Sequence, residues 1–337
     1  MLATTYLGLN LRNPLVASAG PLSQTVDGVK ALADGGVGAV VMYSLFEEQV
    51  RHEAERDALL EELNSESFAE ALSYFPSLDV HTEGLATKYL NLVEKSARAI
   101  DVPLIASLNG ASLGGWVQFA GQLQDAGAAA IELNIYFVPG DITLAGPTVE
   151  ERHVDIVRAV KAAVTIPVAV KLSPHFSSFG QLAVRLVDAG ADGLVLFNRF
   201  LQPDIDIEQV LVVPGVELSS RSDSRVPRTW IAALRNKVDA SLAATSGVED
   251  ASDVIRYLLA GADVVMTTSA LVRHGPRYAS TLLEGLRAWM MRKGFDSPAA
   301  MRGVLAVPAD AEANAYQRAG YVAALEKAKT TYGSLHA

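Results

Sequence analysis

The stretch TIPVAVKLSPHFSSFGQLAVRLVDAGADGLVLFN, residues 165–198, decides the fold. It opens on a short hinge and an apolar run, PVAVKL. A helix-length segment follows, FGQLAVRLVDAG (179–190), and a second apolar run, GLVLFN, closes it. Neither run alternates apolar with polar residues, as expected of strands buried on both faces. The glycine ahead of the second run reads as a helix C-cap, where glycine takes the left-handed conformation cheaply. Strand, helix and strand in this order make one parallel unit with a right-handed crossover.

Outward from this unit the same two signatures alternate. Glycine leads into an apolar run in GGVGAVVMYS (35–44), AGAAAIELN (126–134) and AGADVVMTTS (260–269). A hinge precedes a β-rich run in DVPLIASLNG (101–110) and DASLAATSGV (239–248). With NPLVASAG (13–20) as the first, eight strand signals precede residue 270. Eight βα units close naturally into a (β/α)₈ TIM barrel. An open doubly wound sheet is the alternative, but no G-x-G-x-x-G follows the first strand. The expectation is one α/β domain, with the barrel over about 7–294 and a helical tail over about 295–337. Two connections exceed simple βα loops, residues 45–85 after strand two and 199–226 after strand six. Both would emerge at the C-terminal mouth as lids or substrate walls.

Composition narrows the class. The chain has 337 residues, half of them hydrophobic, a formal charge of -10 and no cysteine. Without a basic run, nucleic acid is not an expected partner. Without cysteine there is no disulfide, thiolate metal site, cysteine base or iron–sulfur cluster within the chain. No apolar run approaches the roughly 20 residues that span a bilayer. The N-terminal MLATTYLGLNLRNP lacks the basic and apolar regions of a signal peptide. A cytoplasmic protein without membrane contact is the expectation.

The strand ends carry the chemistry. Ser246 and Gly247 in ATSGV, with Thr268 and Ser269 in TTSALVRHGP, stand where strands seven and eight hand over to helices. Their N–H groups and hydroxyls suit an anion, and phosphate sites after these two strands recur in such barrels. Plain N-capping by Ser and Thr is the competing reading. Lys171 ends an apolar strand and cannot stay in the core uncompensated, so it must reach the mouth and meet an anion or a reduced cofactor. Asn109, Asn134 and Asn198 end strands three, four and six and offer amides to a planar heterocycle.

The ordered set NPLVASAG, IASLNG, IELN, VAVKLSP, LVLFNR, ATSGV and TTSALVRHGP resembles the dihydroorotate dehydrogenase family, and more closely its dihydroorotate dehydrogenase-like branch, from Leu7 to about Gly294. The resemblance implies a cytosolic homodimer with FMN at the barrel mouth and a small-molecule substrate. It implies that Ala17, Ser18, Ala19 and Gly20 pass close to the flavin ring and that Ser44 touches it. Asn109 and Asn134 would line its edge, Lys171 would sit by N1 and O2, and Asn198 would face the substrate. Ser219 and Ser220 would support the ring, while Ser246, Gly247, Thr268 and Ser269 would hold the phosphate.

The family places a Ser or Cys base two or three residues after the strand-four asparagine. Here Tyr136 and Phe137 stand there. Its lysine before the serine after strand two is Tyr43 here, and LSYFPSLDV (72–80) replaces its asparagine-rich substrate segment. The flavin half of the site is kept and the substrate half rewritten. Dihydroorotate oxidation, the family's step in pyrimidine biosynthesis, is therefore not the expected reaction, and an aromatic or enone-like substrate is. Tyr136 and His175 are the candidates for the missing proton-transfer group. No metal is expected. Two rival readings stand beside this one, a non-redox barrel enzyme binding a sugar phosphate and a flavin-binding paralogue without catalysis.

Overall fold

A computed structural model describes residues 1–48, 84–110, 116–135, 141–199, 203–213, 215 and 217–332. Its centre is a closed barrel of parallel strands. These are β1 (Leu15–Ala17), β2 (Ala39–Phe46), β3 (Leu104–Gly110), β4 (Ala130–Ile135), β5 (Val168–Leu172), β6 (Gly193–Leu196), β7 (Ser241–Ala244) and β8 (Val264–Thr267). Each pairs with the next, and β8 closes on β1 through Val265 beside Leu15 and Thr267 beside Ala17. All eight start within the runs read from the sequence, and β2 and β4 extend two residues and one residue past them. The glycines that precede four of these runs, Gly36, Gly127, Gly190 and Gly261, take positive φ.

Helices cover the outside. They are α1 (Val26–Asp34), α2 (Leu85–Ala99), α3 (Trp116–Asp125), α4 (Gly146–Ala163), α5 (Phe179–Asp188), α6 (Arg225–Leu234), α7 (Ala251–Ala260), α8 (Ser269–His274) and α9 (Tyr278–Lys293). Successive strand side chains point to opposite faces. One set, including Leu15, Met42, Leu133 and Leu194, packs outward against the helices. The other fills the barrel itself, with Val16, Val41, Ile105, Ala169, Val195 and Met266.

The sequence reading gave no role to the first residues, and the structure gives them one. Thr4–Tyr6 and Leu9–Leu11 form an antiparallel hairpin. Its two-residue turn, Leu7 (φ 53°) and Gly8 (φ 74°), has the left-handed geometry of a tight hairpin. Tyr6, Leu7 and Leu11 reach the interior cluster and floor the barrel. The Leu7 N–H donates to the Ser241 hydroxyl at 3.0 Å, which ties the hairpin to β7.

The long connections differ from plain loops where they are described. After β6, Asp204–Asp206 and Leu211–Val213 pair as a second antiparallel hairpin. It exposes Ile205, Ile207, Val210 and Val212. A 3₁₀ turn, Arg221–Ser224, then leads into α6. After β2, residues 49–83 lie outside the described residues, so the expected lid there does too. In the tail, α9 packs on α7, and a strap crosses α6 and α7 through Gly303 N–H to Leu258 O and Val307 N–H to Ala232 O, both at 2.9 Å. Asp263 anchors the base, accepting from Arg235 at 2.8 Å, from Arg302 at 2.5 Å and from the Leu242 N–H at 2.7 Å. The last helix, Ala313–Tyr332, is exposed over residues 318–327, so it adds little to the core.

Candidate active site

The mouth is built on one register. Across β3, β4 and β5, Asn109 lies beside Asn134 and Asn134 beside Lys171. All three are buried. Asn198, just past β6, donates its backbone N–H to Leu172 O at 2.7 Å and its amide to Asn134 Oδ1 at 2.9 Å. Two of the three predicted amides are thus joined directly, and the third shares their row.

On β2 a register shift between Val41 and Ser44 changes which residues face inward. Ser44 meets Ser107 of β3 hydroxyl to hydroxyl at 2.8 Å. Tyr43 instead packs edge-on against Tyr89 of α2, with ring centroids 5.1 Å apart. The Tyr89 hydroxyl donates to Tyr43 O at 2.8 Å, and it also bonds Ser107 O at 3.1 Å. Burial raises the pKa of both phenols. A bulge of this kind re-aims side chains. Here it delivers the serine to the interior and lays the Tyr43 ring on α2.

Lys171 reaches the mouth, but its nearest charge comes from inside the barrel. Its ammonium lies 3.4 Å from Glu132 Oε1 and 3.5 Å from Ser18 Oγ. Glu132 is 1% exposed. The sequence reading missed this partner, although IELN displays a carboxylate in an apolar strand. The argument that a buried charge needs compensation applies to Glu132 as much as to Lys171. Among the described residues, Glu132 Oε2 and the Tyr6 hydroxyl have no hydrogen-bond partner. Burial, then the charges of Glu132 and Asp263, raise the Tyr6 phenol's pKa well above its ordinary value.

The two closing turns are stitched together. Ser246 takes φ 80° and Gly247 φ 68° directly after β7. A Cβ on Gly247 would fall 2.6 Å from Ser224 N and 2.8 Å from Ser220 O, so only glycine fits. The Tyr257 hydroxyl of α7 holds this turn by donating to Ser246 O at 2.7 Å. After β8, Thr268 donates its hydroxyl to Ser18 O at 2.8 Å. Its methyl fills the place of a Gly20 side chain, 2.5 Å from where that Cβ would be. Ser219 reaches the Ser269 hydroxyl through its N–H at 3.1 Å and its own hydroxyl at 2.9 Å. Arg273 clamps the same loop through Ser219 O at 3.0 Å. The Thr268 and Ser269 hydroxyls therefore tie the loops, a role beyond the N-capping and anion binding that the sequence suggests.

At the mouth lies an open cavity of about 270 Å³. Ser18, Ala19, Gly20, Lys171, Asn198, Ser219, Ser246, Thr268 and Ser269 all line it. Arg199 lines it as well, donating to Glu217 O at 2.5 Å. The arrangement combines two small-residue turns, one with Ser246 at positive φ, a buried ammonium and the half-buried Asn198 amide. That set fits a ligand with an anionic end and a polar planar ring. Other candidates do not line it: Ser44, Asn109 and Asn134 stand on the neighbouring strands, and Gly247 lies behind Ser246. His175 is exposed beyond β5, its N–H on Ser173 Oγ at 3.0 Å, and does not line the cavity. Tyr136 and Phe137 lie outside the described residues.

A family model described as Dihydroorotate dehydrogenase matches residues 1–290. The catalytic subunit of dihydroorotate dehydrogenase B (NAD(+)) from Methanothermobacter thermautotrophicus is 29% identical over 312 residues, 90% of this chain and 98% of that protein. The corresponding subunit from Methanocaldococcus jannaschii is 28% identical over 284 residues, 82% of this chain and 89% of its own. The NAD-dependent dihydropyrimidine dehydrogenase subunit PreA of Escherichia coli K12 is 24% identical over 322 residues, 90% of this chain and 76% of its own. Among the described residues, no helix is long and apolar enough to cross a membrane.

Proposed function

The chain belongs to the dihydroorotate dehydrogenase family, and on that premise we propose that it is an FMN-dependent oxidoreductase acting on a CH–CH or C=C bond next to a carbonyl. The observation that carries the cofactor reading is the cavity itself. The Ser246–Gly247 turn and the Thr268–Ser269 turn border it, and the Lys171 ammonium lines the same space. When bound, FMN would supply the hydride-accepting ring.

Under this reading each residue has a defined task. The turns at Ser246, Gly247, Thr268 and Ser269 would hold the phosphate, while Ala19 and Gly20 keep the approach free of bulk. Lys171 would hold positive charge beside the ring, where negative charge develops on reduction. Asn109, Asn134, Ser44 and Ser219 would fix the ring by hydrogen bonds, and Asn198 would orient the substrate from its anchor on Asn134. Tyr136 and His175 remain proposals for proton transfer. The exposure of His175 speaks for Tyr136 as the first to test.

The substrate half favours a compound other than dihydroorotate. A positioned base contributes about 10²–10⁴ in rate, and the family's Ser or Cys is replaced by Tyr136 and Phe137. The Tyr43 ring, in place of the family's lysine, lies on Tyr89. A dihydropyrimidine or an enone without a carboxylate fits these changes. The relatives carry names of dehydrogenases, which gives no support to a non-redox sugar-phosphate enzyme or an inactive paralogue. We also propose a cytoplasmic homodimer. Its candidate contact is the exposed apolar hairpin 204–213, because a bare two-stranded hairpin is marginal in water.

Anaerobic mixing tests the reading. FMN-loaded protein should lose its yellow absorbance rapidly with a dihydropyrimidine or another saturated carbonyl compound. With dihydroorotate it should do so at least about 100-fold more slowly. Rapid bleaching by dihydroorotate would overturn the substrate assignment. Flavin that no carbon donor reduces would overturn the enzymatic one.

A further inference from the structure

Glu132 is a buried charge beneath the mouth that the proposed chemistry leaves without a task. It sits on β4, one layer below Asn134, and is 1% exposed. Burying a carboxylate costs several kcal/mol unless it is matched. Its match is Lys171, 3.4 Å from Oε1. That single contact is weak satisfaction for so buried a group, since Oε2 has no partner among the described residues. The Tyr6 hydroxyl, equally buried, does not fill the gap. A residue kept only for packing would be apolar at this depth, as Ala169, its interior-facing neighbour on β5, is. The carboxylate instead gives the ammonium a fixed counter-charge on the side away from the cavity.

We infer that Glu132 is a positioning residue: it holds the Lys171 ammonium at the cavity floor and offsets part of its charge, and so sets how strongly the site prefers reduced to oxidised flavin. This rests on the FMN reading above and deepens it. With Glu132 charged, the pair is neutral overall and suits the neutral oxidised ring. Lys171 still presents its positive end to the ring when reduction adds negative charge. Removing the carboxylate leaves an unopposed ammonium, which favours the reduced form further.

The test compares wild-type protein, Glu132→Gln and Glu132→Asp, each loaded with FMN, by equilibrium redox titration against a reference dye. In Glu132→Gln the affinity for reduced relative to oxidised FMN should rise about tenfold, which is about 30 mV for a two-electron couple. Glu132→Asp keeps the charge and withdraws it by one methylene, so its shift should fall between the other two. An unchanged or lowered potential in Glu132→Gln with FMN bound would overturn the inference and leave the flavin site standing. If Glu132→Gln does not fold, an unchanged potential in Glu132→Asp overturns it equally. Wild-type protein that takes up no FMN would instead remove the flavin reading on which the inference rests.

Discussion

Replacing Lys171 by methionine will lower the free energy of unfolding by about 3–5 kcal/mol, the cost of leaving a buried ion without its partner. The partner is Glu132, 3.4 Å from the ammonium and almost wholly excluded from solvent. Methionine has nearly the length of lysine, so the lost packing is small and the effect isolates the charge. The second half of the prediction gives it direction. Lys171→Met combined with Glu132→Gln removes both charges, and its stability should return to within about 1 kcal/mol of wild type or exceed it, as replacement of whole buried pairs often does. Denaturant melts of the two singles and the double form the cycle that measures the coupling. Additive losses would show that the pair is not coupled and would remove the counter-charge argument. In FMN-loaded protein, Lys171→Met should also slow flavin reduction by about 10²–10³-fold, the usual loss on deleting one preorganised donor.

Ser246→Asp is expected to expel FMN. The side chain lines the cavity from a turn held by Tyr257 and walled by Ser224. Two like charges about 4 Å apart repel by about 4 kcal/mol at the effective dielectric of a partly exposed site. That weakens binding by about 10³-fold. The control is Ser246→Gly. Serine at φ 80° sits in a region that costs an L-residue about 1–2 kcal/mol. Glycine relieves that strain, so Ser246→Gly should bind FMN nearly as well and melt slightly later. Wild-type FMN affinity in the aspartate variant would refute the phosphate cradle.

The barrel was legible because its signals are local and repeated. A glycine before an unbroken apolar run marks a helix end and a strand start, and the chain does this four times. The floor was not legible. The hairpin at residues 4–11 turns through Leu7 and Gly8, and leucine at positive φ gives none of the Asn-Gly or Asp-Gly warning that such turns usually carry. The hairpin 204–213 was hidden for a different reason. Its apolar residues face solvent, so no burial pattern betrays its pairing.

The site divides in the same way. Lys171, the asparagines and the two turns stand at strand ends, where position in the repeat assigns them to the mouth. Glu132 was visible as a letter and overlooked as a partner, because pairing across neighbouring strands needs the register. Tyr43 and Ser44 could be separated only by the register shift in β2, which leaves no mark in the sequence. The sequence offers the N–H groups and hydroxyls of Thr268 and Ser269 to a ligand, and in the fold those hydroxyls also bond Ser18 and Ser219. That distinction depends on loops far apart in sequence.

The central claim is that this cavity clasps FMN, and a binding titration addresses it most directly. Purified protein is freed of any bound small molecule and titrated with FMN, with the quenching of flavin fluorescence as the signal and riboflavin as the comparison. The account predicts saturation at one FMN per chain and binding of riboflavin weaker by about 100-fold or more, since the phosphate contacts are charge-assisted and worth about 1.5–3 kcal/mol each. No saturable binding of FMN, or equal affinity for riboflavin, would contradict it.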